Sequence, residues 1–217
     1  MDHDILQIKR GIPTSSDYPY VQTYSLPGNK YYSVLEALIH IREDIDSTLA
    51  FRLGCRYKTC GLCAMEINGK PRIACLTKLR RQMTLGPLKG LPVVRDLVID
   101  RRSFFEKIRE YSIFIQPRNL LDPEQLNIPD ALKQLARCRE CLCCISGYHP
   151  YVFGKSEFES PYIFVKIAQA YYDPRDVIDR KEQARILGIE HYKGIKNIPC
   201  PFGVPIVKSA IMPLMVL

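Results

Sequence analysis

The chain has 217 residues, of which 47% are hydrophobic and 25% are charged, and its formal net charge at pH 7 is +8. This length suits one large domain or two small ones, and the hydrophobic fraction with 16 prolines and 12 glycines is typical of a globular, loop-rich protein. The longest apolar stretch, residues 206–217, is interrupted by Lys208 and Pro213 and is too short to span a bilayer, so we expect no direct membrane span.

The positive charge raises nucleic acid as a partner, but the sequence does not support one. Lysine and arginine are spread along the chain, with doublets such as Arg80-Arg81 and Arg101-Arg102. No helix-turn-helix, RNA-recognition or zinc-finger pattern occurs, so we expect no nucleic-acid partner. A solvated basic surface is the favoured interpretation, and a docking face for an acidic partner is the second.

Nine cysteines, an odd number, lie in two groups along the chain, which does not favour regular disulfide pairing. The first residues, Met1-Asp-His-Asp4, are acidic and no apolar core follows them, so we expect no secretory signal peptide. In a reducing compartment, grouped thiols are better explained by metal binding than by disulfides. We therefore expect a cytoplasmic protein that reaches the cytoplasmic face of a membrane, if at all, through partner subunits.

The first group has the spacing C-x4-C-x2-C, formed by Cys55, Cys60 and Cys63, and eleven residues separate Cys63 from Cys75. This spacing is that of plant-type ferredoxins, in which four thiolates hold a 2Fe-2S cluster. Gly54 and Gly61 allow the loop to fold tightly and to direct N–H groups at the sulfurs. A zinc site or free core cysteines are the alternatives, but a zinc ribbon requires two C-x2-C pairs.

The residues before this loop predict two strands and a helix. Residues 4–10 and 20–26 are rich in β-forming residues and are bounded by prolines, which predicts a hairpin. Ser33 then begins a helix, and Glu36 completes a capping box. Apolar residues at helical spacing should face a core. They are Val34, Leu35, Leu38, Ile41 and Ile45.

After the loop, Asn68-Gly69 predicts a tight hairpin that runs from Cys63 to Cys75. Residues 93–99 predict a last strand, and Ser103 is positioned to cap a following helix. Strands, one helix and further strands make the order of a β-grasp fold. We therefore assign residues 1–101 to a plant-type 2Fe-2S ferredoxin domain.

Beyond Pro117 the pattern becomes helical. Helices are predicted over residues 126–137, 161–172, 176–187 and 205–214, with few β-forming runs between them. The fold class is therefore α+β, with a β-grasp ferredoxin domain followed by a mostly α-helical, bacterial-ferredoxin-like domain over residues 102–217.

The second cysteine group lies in this second domain. Cys138, Cys141 and Cys144 form C-x2-C-x2-C, and Cys200 precedes a proline further along the chain. In bacterial ferredoxins three such cysteines and a remote Cys-Pro hold a 4Fe-4S cluster. A zinc site made by the same four cysteines is the alternative. Cys143 lies outside this spacing and is interpreted as a buried thiol.

These motifs together resemble the iron–sulfur subunit of succinate dehydrogenase and fumarate reductase. The resemblance extends over nearly the whole chain, including Asp46-Ser-Thr-Leu49 before the first cysteine group, Pro92-Val-Val94 after it, and the extra cysteine at 143. It implies an electron-transfer subunit that docks on an FAD-containing flavoprotein and serves a further acceptor subunit or a membrane anchor. Substrate chemistry would belong to the flavoprotein, and no residue of this chain is expected to be catalytic.

The sequence departs from the family at the third, three-iron cluster. The family's first ligand of that cluster falls at Tyr148, followed by His149, and Glu190 and Lys196 stand near the other two positions. We therefore predict two clusters, with Tyr148 packed among side chains. Two versions of the function remain: a membrane-associated quinone enzyme, or a soluble complex that serves a thiol–disulfide or ferredoxin partner. A zinc-stabilised binding module is a remote alternative.

Overall fold

A computed structural model describes residues 3–28, 30–55, 57–117 and 127–216. The chain divides into two compact units, one formed by residues 1–100 with 139–147 and the other by residues 101–138 with 148–217. The segment 139–147 therefore groups with the N-terminal residues, although many residues separate the two in the sequence.

Within the described ranges no helix is long and apolar enough to cross a membrane.

The first unit contains a five-stranded mixed sheet with the strand order β2-β1-β5-β3-β4. Its strands are β1 (His3–Arg10), β2 (Tyr20–Pro27), β3 (Ala64–Ile67), β4 (Lys70–Ile73) and β5 (Gln82–Gly86). The neighbouring strands β1 and β5 are parallel, and the other neighbours are antiparallel. Alternate apolar residues of β1 and β5, such as Leu6 and Leu85, are buried. This arrangement confirms the predicted β-grasp domain.

The helix α1 (Val34–His40) begins as the capping pattern predicts. The Ser33 hydroxyl accepts the Glu36 N–H at 3.3 Å. The reciprocal bond differs from a standard capping box, because the Glu36 carboxylate accepts the N–H of Tyr32, at 2.9 Å, instead of that of Ser33.

One predicted core position of this helix is wrong. Val34, Leu35, Leu38 and Ile41 are buried, but Ile45 is 51% exposed. The helix continues into a π-helical turn, Ile41–Ile45, in which the N–H of Asp46 bonds to the carbonyl of Ile41. This wider turn takes up one more residue than an α-helical turn, so Ile45 is rotated out of the apolar face.

The hairpin between β3 and β4 is confirmed. Asn68 and Gly69 both have positive φ, at 50° and 73°, as the two central residues of a type I′ turn require. The turn is only two residues long and both flanking strands are paired, so the ends of the hairpin are held at a fixed separation. Cys63 and Cys75 lie just outside those ends.

The single strand predicted over residues 93–99 is wrong. The structure has two short antiparallel strands, β6 (Val93–Arg95) and β7 (Val98–Ile99). Asp96 lies between them with a φ of 49°, and its carboxylate accepts the N–H groups of Gly11 at 2.7 Å and Ala50 at 2.8 Å. These two bonds hold the chain in a turn that an extended strand could not make.

A buried guanidinium connects this turn to the rest of the first unit. Arg10 is 2% exposed and donates to Asp46 at 2.8 Å and to Thr48 at 2.9 Å, and its Nε lies 3.1 Å from Asp96. A buried charge is tolerated only when it is paired in this way. Hydrogen bonds from Thr48, Tyr24 and Arg10 hold the pKa of Asp46 well below its usual range.

In the second unit α2 (Arg102–Glu110) begins two residues earlier than a cap at Ser103 predicts. Arg101 precedes the helix, so Ser103 does not cap it, and the Ser103 hydroxyl is buried without a hydrogen-bond partner. The helix α3 (Asp130–Leu135) covers part of the predicted range 126–137, whose first residue lies outside the described residues. The short helix α4 (Cys143–Ser146) belongs to the first unit.

The remaining helices confirm the α-helical character of the second unit. The helix α5 (Pro161–Tyr171) is capped by the hydroxyl of Ser160, and α6 (Arg180–Ile186) by the carboxylate of Asp179. The helix α6 is shorter than the predicted range 176–187 because Asp176 lies before it, ion-paired with Arg180 at 2.6 Å. The last helical residues are a 3-10 turn (Ile189–Tyr192), a π-helical turn (Val207–Ile211) and α7 (Met212–Met215).

The lowered pKa of Asp46 makes a prediction for acid stability. A carboxyl whose folded-state pKa is depressed stabilises the protein above its unfolded pKa of about 4, and this stabilisation is lost as the pH falls. We expect Asp46→Asn to lower the free energy of unfolding at pH 7 by about 1–2 kcal/mol. Denaturant titration should show this difference shrinking below pH 4. The exposed Asp17 is the control, and Asp17→Asn should change little at any pH; a difference for Asp46→Asn that is the same at pH 7 and pH 2 would contradict the assignment.

Candidate metal centres

The loop that carries Cys55 and Cys60 directs backbone N–H groups at both sulfurs. The sulfur of Cys55 accepts the N–H groups of Cys60 at 3.3 Å and Tyr57 at 3.4 Å. The sulfur of Cys60 accepts those of Cys55 and Leu62, each at 3.5 Å. Because an N–H donor stabilises a thiolate more than a thiol, this loop favours the charged form of both cysteines.

Thr59 is a residue of this site that the sequence interpretation missed. Its hydroxyl lies 3.5 Å from the Cys55 sulfur. Hydrogen bonds from Thr59, first from its side chain and then from its backbone, lower the pKa of Cys55 to about 6. The available signal was a hydroxyl residue inside the cysteine loop, immediately before Cys60.

Cys63 and Cys75 are placed by the β3–β4 hairpin. Cys63 immediately precedes β3, and Cys75 lies in a 3-10 turn (Ala74–Leu76) that follows β4. The N–H of Ala74 bonds to the Cys63 carbonyl at 3.0 Å, which joins the two ends. Burial, together with the nearby thiols of Cys63, Cys55 and Cys60, raises the pKa of Cys75 to about 12. The structure therefore brings the four predicted thiols of the first group together.

This donor set fits a metal cluster better than four isolated thiols. Four neighbouring thiolates repel one another, and a bound cation compensates that charge and removes the protons. Within the described part of the chain, no three His, Cys, Asp or Glu side chains converge as they would on one metal ion. A 2Fe-2S cluster has two irons with two ligands each, so it requires two pairs of thiols rather than one common point. The predicted ligands would supply two such pairs, Cys55 and Cys60 in the loop and Cys63 and Cys75 at the ends of the β3–β4 hairpin.

A glycine before the loop allows the close approach of one sulfur. A side chain at Gly54 would place its Cβ 3.1 Å from the Cys60 sulfur and 2.6 Å from Cδ1 of Leu62. Because real Cβ atoms do not approach carbon so closely, Gly54 keeps the inner face of the loop open. The sequence prediction that Gly54 permits tight folding therefore has a specific steric reason.

The cysteines of the second group occupy different units. Cys141 and Cys144 belong to the segment 139–147 of the first unit, and Cys138 and Cys200 belong to the second unit. The backbone around Cys141 is unusual, because Glu140 and Leu142 have φ values of 52° and 64°. Side chains rarely tolerate this conformation, and such residues concentrate at functional sites.

Cys143 is buried with none of its surface exposed, as expected for a thiol outside the ligand spacing. It begins the helix α4, whose other buried residues include Ile145. Its side chain is therefore part of the packing of this segment.

Comparison with known proteins identifies the family of this chain. Residues 5–106 match the family described as a 2Fe-2S iron–sulfur cluster binding domain. The chain is 31% identical over 195 residues to a fumarate reductase iron–sulfur subunit of Mycobacterium tuberculosis, a match that covers 84% of this chain and 78% of that protein. The chain belongs to the family of succinate dehydrogenase and fumarate reductase iron–sulfur subunits.

Solved structures and longer relatives agree with membership of this iron–sulfur subunit family. A chain of the Mycobacterium smegmatis Sdh1 complex in the apo form superposes with a TM-score of 0.85 at 28% identity, over 98% of this chain and 93% of that one. An iron–sulfur protein of Methanocaldococcus jannaschii is 32% identical over 88% of this chain, and a subunit of the fumarate reductase (CoM/CoB) of Methanothermobacter marburgensis is 30% identical over 81%. This chain spans only 40% and 36% of the lengths of those two relatives.

None of the residues at the positions of the family's third cluster is a cysteine. Tyr148 is 6% exposed and stacks on Tyr192, with ring centroids 4.8 Å apart. The Tyr192 hydroxyl donates to the Glu159 carbonyl at 2.8 Å. Tyr148 is thus packed among aromatic side chains, as predicted. The other residues at or next to these positions, His149, Glu190 and Lys196, are exposed.

Replacing one buried cysteine of each group distinguishes a cluster ligand from a cysteine that only packs in the core. Cys63 is 3% exposed and Cys143 is fully buried, so both replacements remove a buried thiol. We expect Cys63→Ala to abolish the visible absorbance and the reduced-state electron paramagnetic resonance signal of a 2Fe-2S cluster, because the cluster loses one of four thiolates.

The matched variant Cys143→Ala should keep the signals of both clusters and cost about 1 kcal/mol of stability. Cys63 is not a ligand if Cys63→Ala retains the 2Fe-2S spectrum at full intensity. The ligand spacing of the second group is wrong if Cys143→Ala loses the 4Fe-4S signal.

Proposed function

We propose that this chain is the electron-transfer subunit of a succinate dehydrogenase/fumarate reductase-type complex and that it takes no part in substrate chemistry. Cys55, Cys60, Cys63 and Cys75 would hold a 2Fe-2S cluster, and Cys138, Cys141, Cys144 and Cys200 a 4Fe-4S cluster. The observation that carries the proposal is the meeting of the four thiols of the first group in a site whose loop directs four backbone N–H groups at two of the sulfurs.

The protein groups around the first site have defined tasks. The N–H groups of Tyr57, Cys60 and Leu62 stabilise negative charge on the sulfurs and tune the reduction potential of whatever the sulfurs bind. The β3–β4 hairpin fixes Cys63 and Cys75, so little rearrangement accompanies a change of charge. When bound, iron–sulfur clusters supply one-electron transfer.

The second ligand set rests on its spacing and on the backbone around it. C-x2-C-x2-C with a remote Cys-Pro is the bacterial ferredoxin pattern. The buried, positive-φ backbone at Leu142 supports a functional role for this segment. The function of the second site is to accept an electron from the first site, or to return one, and to exchange it with the next acceptor.

The partner implied by the family is an FAD-containing flavoprotein subunit, which would interconvert a dicarboxylate such as succinate or fumarate. A further acceptor subunit or a membrane anchor would bind on the other side of the electron path. FAD would be bound by that flavoprotein and not by this chain.

A second version of the function is a complex whose acceptor is not a membrane quinone. It is supported by the aromatic packing of Tyr148 and the exposure of Glu190 and Lys196, which leave no thiols at the positions of the family's third cluster. The acceptor would then be a thiol–disulfide centre or a ferredoxin. The relative from Methanothermobacter marburgensis, named a fumarate reductase (CoM/CoB), is consistent with this version.

Isolation of the native complex tests the proposal. A tagged copy of this chain should co-purify with a flavoprotein, and the complex should contain about one FAD per chain. Photoreduction of that flavin should bleach the visible absorbance of the iron–sulfur sites. The same complex made with Cys63→Ala is the control and should retain its FAD.

In that control, bleaching at the 2Fe-2S wavelengths should be absent. A colourless protein that contains zinc and no flavoprotein partner would overturn the proposal. Reduction of a quinone analogue or of a soluble disulfide by the wild-type complex would then decide between the two acceptors.

A further inference from the structure

Two cysteines of the second group lie in the same compact unit as the first group. Residues 139–147 carry Cys141 and Cys144 and belong to the same compact unit as the loop around Cys55 and Cys60. The helix α4 of this segment lies next to β4, the edge strand of the hairpin that holds Cys63 and Cys75. The segment is packed and is not an exposed linker, because Leu142, Cys143 and Ile145 are each at most 1% exposed.

Gly61 of the first loop lies close to this segment. It follows Cys60 and lies within the C-x2-C pair. A side chain at this position would place its Cβ 2.8 Å from the carbonyl oxygen of Arg139 and 2.9 Å from the Cβ of Cys141. Both distances are shorter than real Cβ atoms show, and the Arg139 oxygen belongs to the backbone, so it cannot rotate away.

Gly61 also has a φ of +71°, a conformation that favours glycine by itself. These two reasons for glycine can be separated, because the chain contains another glycine with only one of them. Gly154 has a φ of +70°, and no atom lies within 4 Å of the Cβ that a side chain would add there. Comparing the two positions therefore isolates the contact with Arg139 and Cys141 from the backbone strain.

We propose that Gly61 is a positioning residue that sets where the segment 139–147, with Cys141 and Cys144, lies against the first loop. The 4Fe-4S site would then assemble only on an ordered 2Fe-2S loop, and the reverse dependence would be absent. This inference rests on the proposed function, since it assumes that Cys60 and Cys141 are ligands of different clusters.

The test compares Gly61→Ala with Gly154→Ala in the full-length protein after anaerobic cluster reconstitution. Both clusters are quantified in each sample by electron paramagnetic resonance at two temperatures and by iron analysis. Gly154→Ala should bind both clusters at wild-type occupancy. Gly61→Ala should keep the 2Fe-2S signal and lose most of the 4Fe-4S signal, because its methyl group displaces Arg139 and Cys141.

If Gly61→Ala loses both clusters, a second pair of variants tests whether the 4Fe-4S cluster depends on the first site. Cys55→Ala removes a ligand of the first site only, and Cys200→Ala removes a ligand of the second site only. Cys55→Ala should lose both clusters, whereas Cys200→Ala should lose only the 4Fe-4S cluster.

Full 4Fe-4S occupancy in Gly61→Ala or in Cys55→Ala would overturn the inference and leave the proposed function intact. Absence of the 4Fe-4S cluster from the wild-type protein would contradict the proposed function instead. The two failures are therefore distinguishable.

Discussion

The constraint on which this protein depends is the repulsion that four thiols held close together meet when they lose their protons. Burial and neighbouring thiols raise the pKa of Cys75 to about 12, whereas hydrogen bonds from Thr59 lower that of Cys55 to about 6. A bound cation relieves the repulsion, but the protein must first hold the sulfurs in place. It does so with a two-residue turn at Asn68-Gly69 and with N–H groups directed at the loop sulfurs.

The rest of the first unit supports this arrangement. The buried Arg10 joins β1 to Asp46 and Asp96, and Asp96 accepts the N–H of Ala50 just before the cysteine loop begins. The chain therefore enters the loop from a fixed point, and the β3–β4 hairpin fixes its exit. Gly61 adds a third connection, to the segment that carries Cys141. Packing that determines the fold thus also determines where the thiols lie.

Local sequence signals predicted much of this structure. The cysteine spacing, the Asn68-Gly69 turn and the Ser33 cap act over a few residues, so the sequence alone was sufficient to place them. The failures depended on distant contacts or on backbone geometry. Asp96 makes a turn because of Gly11 and Ala50, and Ile45 is exposed because a π-helical turn changes the helical period. The contact of Gly61 with residues 139–141 depends on tertiary structure and has no local signal.

The central claim is that the chain holds one two-iron and one four-iron cluster and no third cluster. Mössbauer spectroscopy of fully loaded, ⁵⁷Fe-labelled protein, combined with total iron analysis, tests it most directly. The account predicts about six irons per chain, with one third of the spectral area from a 2Fe-2S cluster and two thirds from a 4Fe-4S cluster. About nine irons, with a three-iron component present before any oxidative damage, would contradict it.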